Sequence, residues 1–301
     1  MGFSDLKTKC LADSNFEPKR IAIAQADSEE LFLALYEAQK QGLCTPLFIG
    51  QQNRIEQLAQ KSNITDFEVI HSETAQSAAE EAVRAINEKR AELIMKGSVA
   101  TSTLMKAVLA DKGGLRRENF LSHVALFETG DGSFLGVTDG GLNISPDLKA
   151  KTAILNNAVA LFHALGIEKP RVALLSAVEV INPDIPSTME AAALAQMAER
   201  GQIKGAIVDG PLALDLAVSS RACSLKGVKT PIEGKADILL VPDLVSGNIL
   251  GKSLIHLAAF ATGGIIMGAA CPIILLSRAD SAQERLNSII LGVNYVQYSG
   301  N

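Results

Sequence analysis

The chain has 301 residues, 48% of them apolar and 20% charged, with a net charge of −5 and no Trp. At this length about 75% of the unfolded chain's surface can be buried, so a core forms without metal or disulfide staples. The acidic balance, with no Lys/Arg block interleaved with aromatics, argues against a nucleic-acid partner.

Short apolar runs alternate with amphipathic stretches along the chain. Ile21–Ala24 reads as a strand, followed by a helix over 28–41 that Asp27 and Ser28 open and Gly42 closes. Then come a strand at Leu47–Ile49, a helix over 51–61, a strand at Phe67–Ile70 and a helix over 74–89. Leu93–Met95 is a strand and 102–109 a helix; Val124–Phe127 and Phe134–Val137 form a local strand pair. Ser145 followed by Pro146 predicts a cap and first helical position for a helix over 147–165. Strands at Arg171–Leu175, Ala206–Val208, Ile238–Val241 and Ile273–Leu276 alternate with helices over 188–199, 212–221, 250–261 and 282–293. Single helices between strands imply parallel sheets with right-handed crossovers. Aromatics make up only 4%, which predicts an aliphatic core and strands buried on both faces.

Open α/β sheets bind ligands at the carboxyl ends of their strands. The strongest signal there is PIILLSRADSAQERLNSI, residues 272–289. Its strand ends in Ser277 and Arg278, and a helix starts within a few residues. Free backbone N–H groups, a helix dipole and a planar guanidinium together suit a phosphate. Ser277 can donate to an oxyanion. Asp280 and Glu284, four apart on one helix face, are both candidate bases, and the same spacing also suits a plain helix cap.

Three weaker signals stand beside it. Gly247, Asn248 and Lys252 lie in GNILGKS, which resembles a P-loop but has three residues between its glycines where four are required, so nucleoside-triphosphate binding is rejected. A glycine loop opening a helix there can still approach a phosphate. Lys96, Gly97 and Ser98, with Thr101, Ser102 and Thr103 behind them, put a cation and hydroxyls at a helix start. Arg116 and Arg117 form the Gly114-Leu115-Arg116-Arg117 pair.

The negatives are equally useful. GxGxxG after a strand, HExxH and GxSxG are absent from the sequence, which argues against a Rossmann dinucleotide site, a zinc protease and an α/β-hydrolase. His71, His123, His163 and His256 are scattered. Cys10, Cys44, Cys223 and Cys271 form no CxxC pair and read as reduced, mostly buried thiols. The polar opening MGFSDLKTKC lacks a leader's apolar region, and the apolar stretch from Gly264 to Leu276 is short for a bilayer. The expectation is a cytoplasmic protein with no membrane partner.

Six segments, in order, resemble the phosphate acetyl/butyryl transferase family and most closely its phosphate butyryltransferase branch: IMKGSVATSTLMKAVL, TDGGLNISPDLKAK, KPRVALLSAVEVINPDIPSTMEA, GAIVDGPLALDLAVS, ADILLVPDLVSGNILGK and CPIILLSRADSAQERLNSI. They run from Leu93 to near the end of the chain; earlier residues match in rhythm alone. The resemblance implies two three-layer α/β/α domains of the isocitrate/isopropylmalate dehydrogenase type. Residues 1–142 plus 265–301 would form a discontinuous domain carrying the Ser-Arg motif, 143–264 the second, with the active-site cleft between them. It also implies a homodimer and no metal or cofactor, coenzyme A being a substrate. The family's catalytic carboxylate, seven positions after the Ser, falls on Glu284. The Ala279-Asp280 pair that follows Ser277-Arg278 matches the butyryl branch; the acetyl branch has Gly there. Asn143 and Asp209 are carried over as cleft residues.

The expected reaction is acyl-CoA plus phosphate giving acyl phosphate plus CoA by direct transfer, with butyryl favoured and acetyl the alternative. Arg278 would hold phosphate, Ser277 the oxyanion or leaving sulfur, and Glu284 or Asp280 the proton; Lys96, Arg116 and Lys252 are weaker candidates for CoA phosphates. Two further readings compete: a metal- and NAD(P)-dependent dehydrogenase built on Asp209 and Asp215, and a non-catalytic CoA- or anion-binding protein.

Overall fold

The computed structural model describes residues 1–116, 120–275 and 280–299. In chain order the elements are α1 (Phe3–Ala12), β1 (Lys19–Ala24), α2 (Glu29–Lys40), β2 (Cys44–Gly50), α3 (Gln52–Lys61), β3 (Glu68–His71), α4 (Ala75–Asn87), β4 (Leu93–Lys96) and α5 (Thr101–Val108). Then follow β5 (Ser122–Glu128), β6 (Phe134–Thr138), α6 (Leu148–Leu165), β7 (Arg171–Leu175), α7 (Pro186–Glu199), β8 (Ile207–Leu212), α8 (Leu214–Val218) and α9 (Ser220–Lys226). The chain ends with β9 (Ile238–Leu240), α10 (Leu244–His256), β10 (Ala261–Met267), β11 (Ile273–Ile274) and α11 (Ala282–Tyr298).

These elements divide into two compact units, Met1–Asn119 with Thr262–Asn301, and Phe120–Ala261. In the first unit the strand order is β3-β2-β1-β4-β11-β10. All neighbours are parallel except β10 and β11. In the second the order is β5-β6-β9-β7-β8, parallel from β6 onward. The β5–β6 hairpin, placed with the first domain on sequence, groups with the second unit because β6 is the parallel neighbour of β9.

The strand order of each unit has a point where the chain reverses its direction of winding. In the first, β1 leads outward to β2 and β3, and α4 then carries the chain back to β4 on the other side of β1. In the second, β7 leads outward to β8, and the chain returns to β9 on the other side of β7. Crevices at such reversals, at the strands' carboxyl ends, are where this architecture takes ligands.

Local chemistry explains where the elements depart from the expected ones. Helix α6 is capped by Asp147, whose Oδ1 accepts from the Ala150 N–H at 2.8 Å, and not by Ser145. The expected helix over 212–221 is two short ones. Ser219 takes an extended conformation (φ −140°) that ends α8 and caps α9, where Gly234 passes so close that a Cβ would lie 2.2 Å from the Ser219–Ser220 backbone. The expected helix over 250–261 starts six residues earlier, at Leu244, and Ala261–Met267 is strand β10. Helix α1 was not expected; its Phe3, Leu6 and Cys10 supply the buried stripe.

The core is mostly aliphatic, yet Phe32, Phe48, Phe127 and Phe162 are among its largest fully buried side chains. Phe32 and Phe48 stack with ring centroids 4.5 Å apart, joining α2 to β2. All four cysteines are buried and none forms a disulfide.

Candidate active site

The crevice between β1 and β4 brings one sequence motif into position. Lys96 is the last residue of β4, and only 8% of it is exposed. Its ammonium donates to the carbonyls of Gly97 (3.1 Å) and Val99 (3.3 Å), which turns the following loop back over the strand end. Gly97 lies hard against the loop after β1: a Cβ there would sit 2.1 Å from the Gln25 carbonyl oxygen. The Gly97 N–H donates to Ala24 (2.9 Å) and the Ser98 N–H to Gln25 (3.0 Å). Gln25 itself adopts φ +59° to present that carbonyl. Ser98 is exposed, with its Oγ 3.4 Å from the same carbonyl.

Helix α5 begins at Thr101 behind an Ala100 N-cap, with no side-chain cap bond. Thr101, Ser102 and Thr103 therefore occupy its first turn and do not close its N-terminus, which keeps the positive dipole end open to an anion.

Strand β11 is the parallel neighbour of β4, with Ile273 opposite Ile94 and Ile274 opposite Met95. Strand β11 thus ends at Ile274 beside the strand that ends in Lys96. Ser277, Arg278 and Arg117 lie outside the described residues. Asp280 is half-buried, and its carbonyl accepts from the buried Arg285 Nε at 3.1 Å. Glu284 sits at the third position of α11 in a reciprocal capping box. Its Oε2 accepts from the Ser281 N–H at 2.6 Å, and the Ser281 Oγ accepts from the Glu284 N–H at 3.2 Å. Arg116 is exposed and pairs with Ala269 as a lone β-bridge.

A model of the family described as "Phosphate acetyl/butaryl transferase" matches residues 72–293. The chain is 43% identical to a phosphate butyryltransferase of Clostridium acetobutylicum over 278 residues, covering 91% of this chain and 92% of that one. The chain belongs to this family. It is also 41% identical to a phosphate acetyltransferase of Rhizobium meliloti, covering 95% of this chain and 92% of the relative. A branched-chain phosphotransacylase from Enterococcus faecalis superposes with a TM-score of 0.83 at 33% identity, over 93% of this chain and 99% of that one. The acetyl/butaryl transferase model thus spans both units and every site candidate of the sequence reading.

The remaining candidates fall in the second unit, where structure reassigns several of them. Asp243 caps α10, accepting from the Ser246 N–H at 2.8 Å. Those bonds to Ser246, with a contribution from Lys151, hold its carboxyl below the usual range. Gly247, Asn248 and Lys252 are therefore helical, and the expected loop is only Pro242-Asp243. Gly247 is needed for another reason: a Cβ there would meet Gly140 Cα at 2.7 Å, and Asn248 Nδ2 donates to the Gly140 carbonyl at 3.4 Å. Lys252 is exposed.

Asn143 donates from Nδ2 to the Leu121 carbonyl (2.8 Å) and to Asp139 Oδ2 (2.6 Å). Asp139, which the sequence reading missed, is 3% exposed and also accepts from the N–H groups of Gly141 and Leu142, both at 2.9 Å. Asp209 lies inside β8 and not after it, and accepts from Thr230 Oγ1 at 2.5 Å. Asp215 pairs with Lys226 at 2.9 Å, so the two carboxylates of the dehydrogenase reading face different partners. Among the described residues no three His, Cys, Asp or Glu side chains converge as a metal site would require.

Proposed function

We propose that the protein transfers a short-chain acyl group between coenzyme A and inorganic phosphate. The observation that carries this is the relationship at 43% identity along 91% of the chain to a phosphate butyryltransferase. Butyryl is the favoured acyl group, supported by Ala279-Asp280 after the Ser-Arg pair. Acetyl is the second reading, favoured by the 41% identity to a phosphate acetyltransferase.

Both phosphate and the CoA thiolate are anionic, and the intermediate between them is a tetrahedral oxyanion. The site must gather positive potential, which Arg278, Lys96 and the open N-terminus of α5 supply. Arg278 holds phosphate through its planar fork. Ser277 donates to the oxyanion or to the leaving sulfur, a contribution of about 3 kcal/mol to transition-state binding. Glu284 takes the CoA thiol proton in the direction of acyl-CoA synthesis. The Ser281 N–H fixes the carboxylate through Oε2, and Oε1 acts as the base. The acyl group passes directly between substrates, without a covalent enzyme intermediate, metal or cofactor.

The protein works as a cytoplasmic homodimer in this reading. Helix α10 supports the dimer, since Gly247 is its one buried residue while Val245, Ile249 and the neighbouring Leu257 stand exposed. No helix among the described residues is long and apolar enough to cross a membrane.

Rates with acetyl-, propionyl-, butyryl- and isobutyryl-CoA against phosphate test the activity and its chain length. Butyryl-CoA is expected to give the highest kcat/KM, and no phosphate-dependent release of CoA from any of them would end the proposal. Glu284→Gln keeps the helix cap and is expected to lower turnover about 10²–10⁴-fold; Asp280→Asn is expected to lower it less than tenfold.

A further inference from the structure

The second winding reversal, between the carboxyl ends of β7 and β9, holds a charged pair that no step above uses. Lys151, near the start of α6, bonds through its ammonium to Glu190 of α7. The Lys151 side chain is 6% exposed and that of Glu190 is 34% exposed. The pair borders a cavity of about 10 Å³, walled by Leu174 and Leu175 of β7, Leu240 at the end of β9 with Val241 after it, and Ser187 of α7. That is room for about one water, so a phosphate group enters only by taking the space that the Glu190 carboxylate leaves. The Ser187 hydroxyl lies 2.7 Å from that of Ser176, the first residue after β7.

A buried ion pair is a poor stabilising device, because removing both charges from water offsets most of their attraction. Its position here carries more meaning than its strength. It stands at the reversal crevice where an open α/β sheet takes its ligand. The asymmetry of exposure gives it a moving part. Glu190 reaches solvent and can swing outward; Lys151 cannot follow, and among apolar walls its ammonium then needs another anion. Asp243, three residues beyond β9, lies within the field of Lys151, but that carboxylate is committed to the cap of α10.

We propose that this crevice is a phosphate-group subsite, with Lys151 as its cation and Glu190 as the internal carboxylate that an arriving phosphate displaces. The proposal rests on the phosphate acyltransferase reading, which supplies two sources of that group: inorganic phosphate and the phosphates of coenzyme A.

Calorimetric titration of the full chain with inorganic phosphate, CoA and dephospho-CoA, each alone, tells these apart. In Lys151→Met/Glu190→Leu, the affinity for the ligand whose phosphate sits there is expected to fall at least tenfold, with urea stability unchanged or raised. Loss for phosphate alone assigns free phosphate. Loss for CoA but not dephospho-CoA assigns the ribose 3′-phosphate, and loss for both assigns the pyrophosphate. Glu190→Gln, which needs no repacking, is expected to tighten the same ligand severalfold. Unchanged affinities in the double variant, or unchanged or weaker binding in Glu190→Gln, overturn the subsite and leave the pair structural. A wild-type chain that binds none of the three and releases no CoA with phosphate overturns the enzymatic reading itself, a separate outcome from normal turnover with insensitive variants.

Discussion

The two winding reversals are built from different materials. Between β1 and β4 the crevice is shaped by backbone: Gly97 packs directly onto the Gln25 carbonyl, and two main-chain bonds tie the loops together. Between β7 and β9, and in the loop that leaves β6, side-chain charge does that work. Lys151 is held by Glu190, Asp243 closes α10, and the buried Asp139 gathers the amides of Gly141, Leu142 and Asn143. A backbone-built crevice has one shape and no tolerance for a Cβ. A charge-built one tolerates changes of shape and responds to changes of charge or protonation.

The largest expected effect breaks the first arrangement. Gly97→Ala drives a Cβ to 2.1 Å from one carbonyl oxygen and 2.7 Å from another, and both are main chain. Overpacking against mobile side chains costs about 1–3 kcal/mol, and backbone cannot yield as they do. Urea denaturation is expected to show a loss of at least about 3 kcal/mol, with turnover down at least a hundredfold as the loop is pushed off β1. A fully stable, fully active Gly97→Ala would show that the loop has room and that its backbone does not define the site. Next in size is Asp139→Ala in the second unit, which takes the acceptor from the Gly141 and Leu142 N–H groups and one of two acceptors from Asn143 Nδ2. The expected cost is about 2–4 kcal/mol, with Asp139→Asn recovering part of it because one acceptor oxygen remains.

The same contrast explains what could be read from the sequence. The alternation of strands and helices was legible because each strand is a compact aliphatic run and many helices open on Ser, Thr or Asp. Lys96-Gly97-Ser98 was legible because a backbone-built site is contiguous: the cation, the glycine and the hydroxyl follow one another directly after a strand. Lys151 and Glu190 were not, because they are 39 residues apart on two helices, with no signature at either position. Asp139 was invisible for a related reason. Its acceptors serve local amides that any loop sequence carries. Gly247 was read as a loop glycine because a close approach to Gly140 leaves the same mark in a sequence as a turn does. Ser277 and Arg278, the residues singled out first, lie outside the described residues, so their assignment still rests on the sequence and the family.

A smaller effect is expected from Ser281→Ala, which removes one half of the capping box at the head of α11. The typical loss is about 1 kcal/mol, measurable by urea denaturation. Turnover is expected to change little, because the bond that holds the Glu284 carboxylate comes from the Ser281 backbone N–H, which Ala keeps. A kcat that falls along with the stability would show that the Ser281 hydroxyl also serves the chemistry.

The smallest effect tests whether the second crevice is held by charge at all. Asp243 has a carboxyl held below its ordinary value, first by the Ser246 N–H and with help from Lys151. A carboxyl that is lowered in the folded chain contributes stability above its unfolded pKa of about 3.9. That contribution fades as pH falls through the lowered folded value. Other carboxyls, Asp131 and Asp215 among them, are lowered too, so acid alone does not isolate this one. The stability gap between wild type and Asp243→Asn does, since Asn still caps the helix but carries no charge. The gap is expected to be constant from pH 7 to pH 5 and to close below about pH 4. In a Lys151→Met background it is expected to be narrower throughout, because the part of the shift due to the ammonium is gone. An equal gap in both backgrounds would mean that Lys151 exerts no field at the end of β9. The second crevice would then owe its shape, like the first, to backbone.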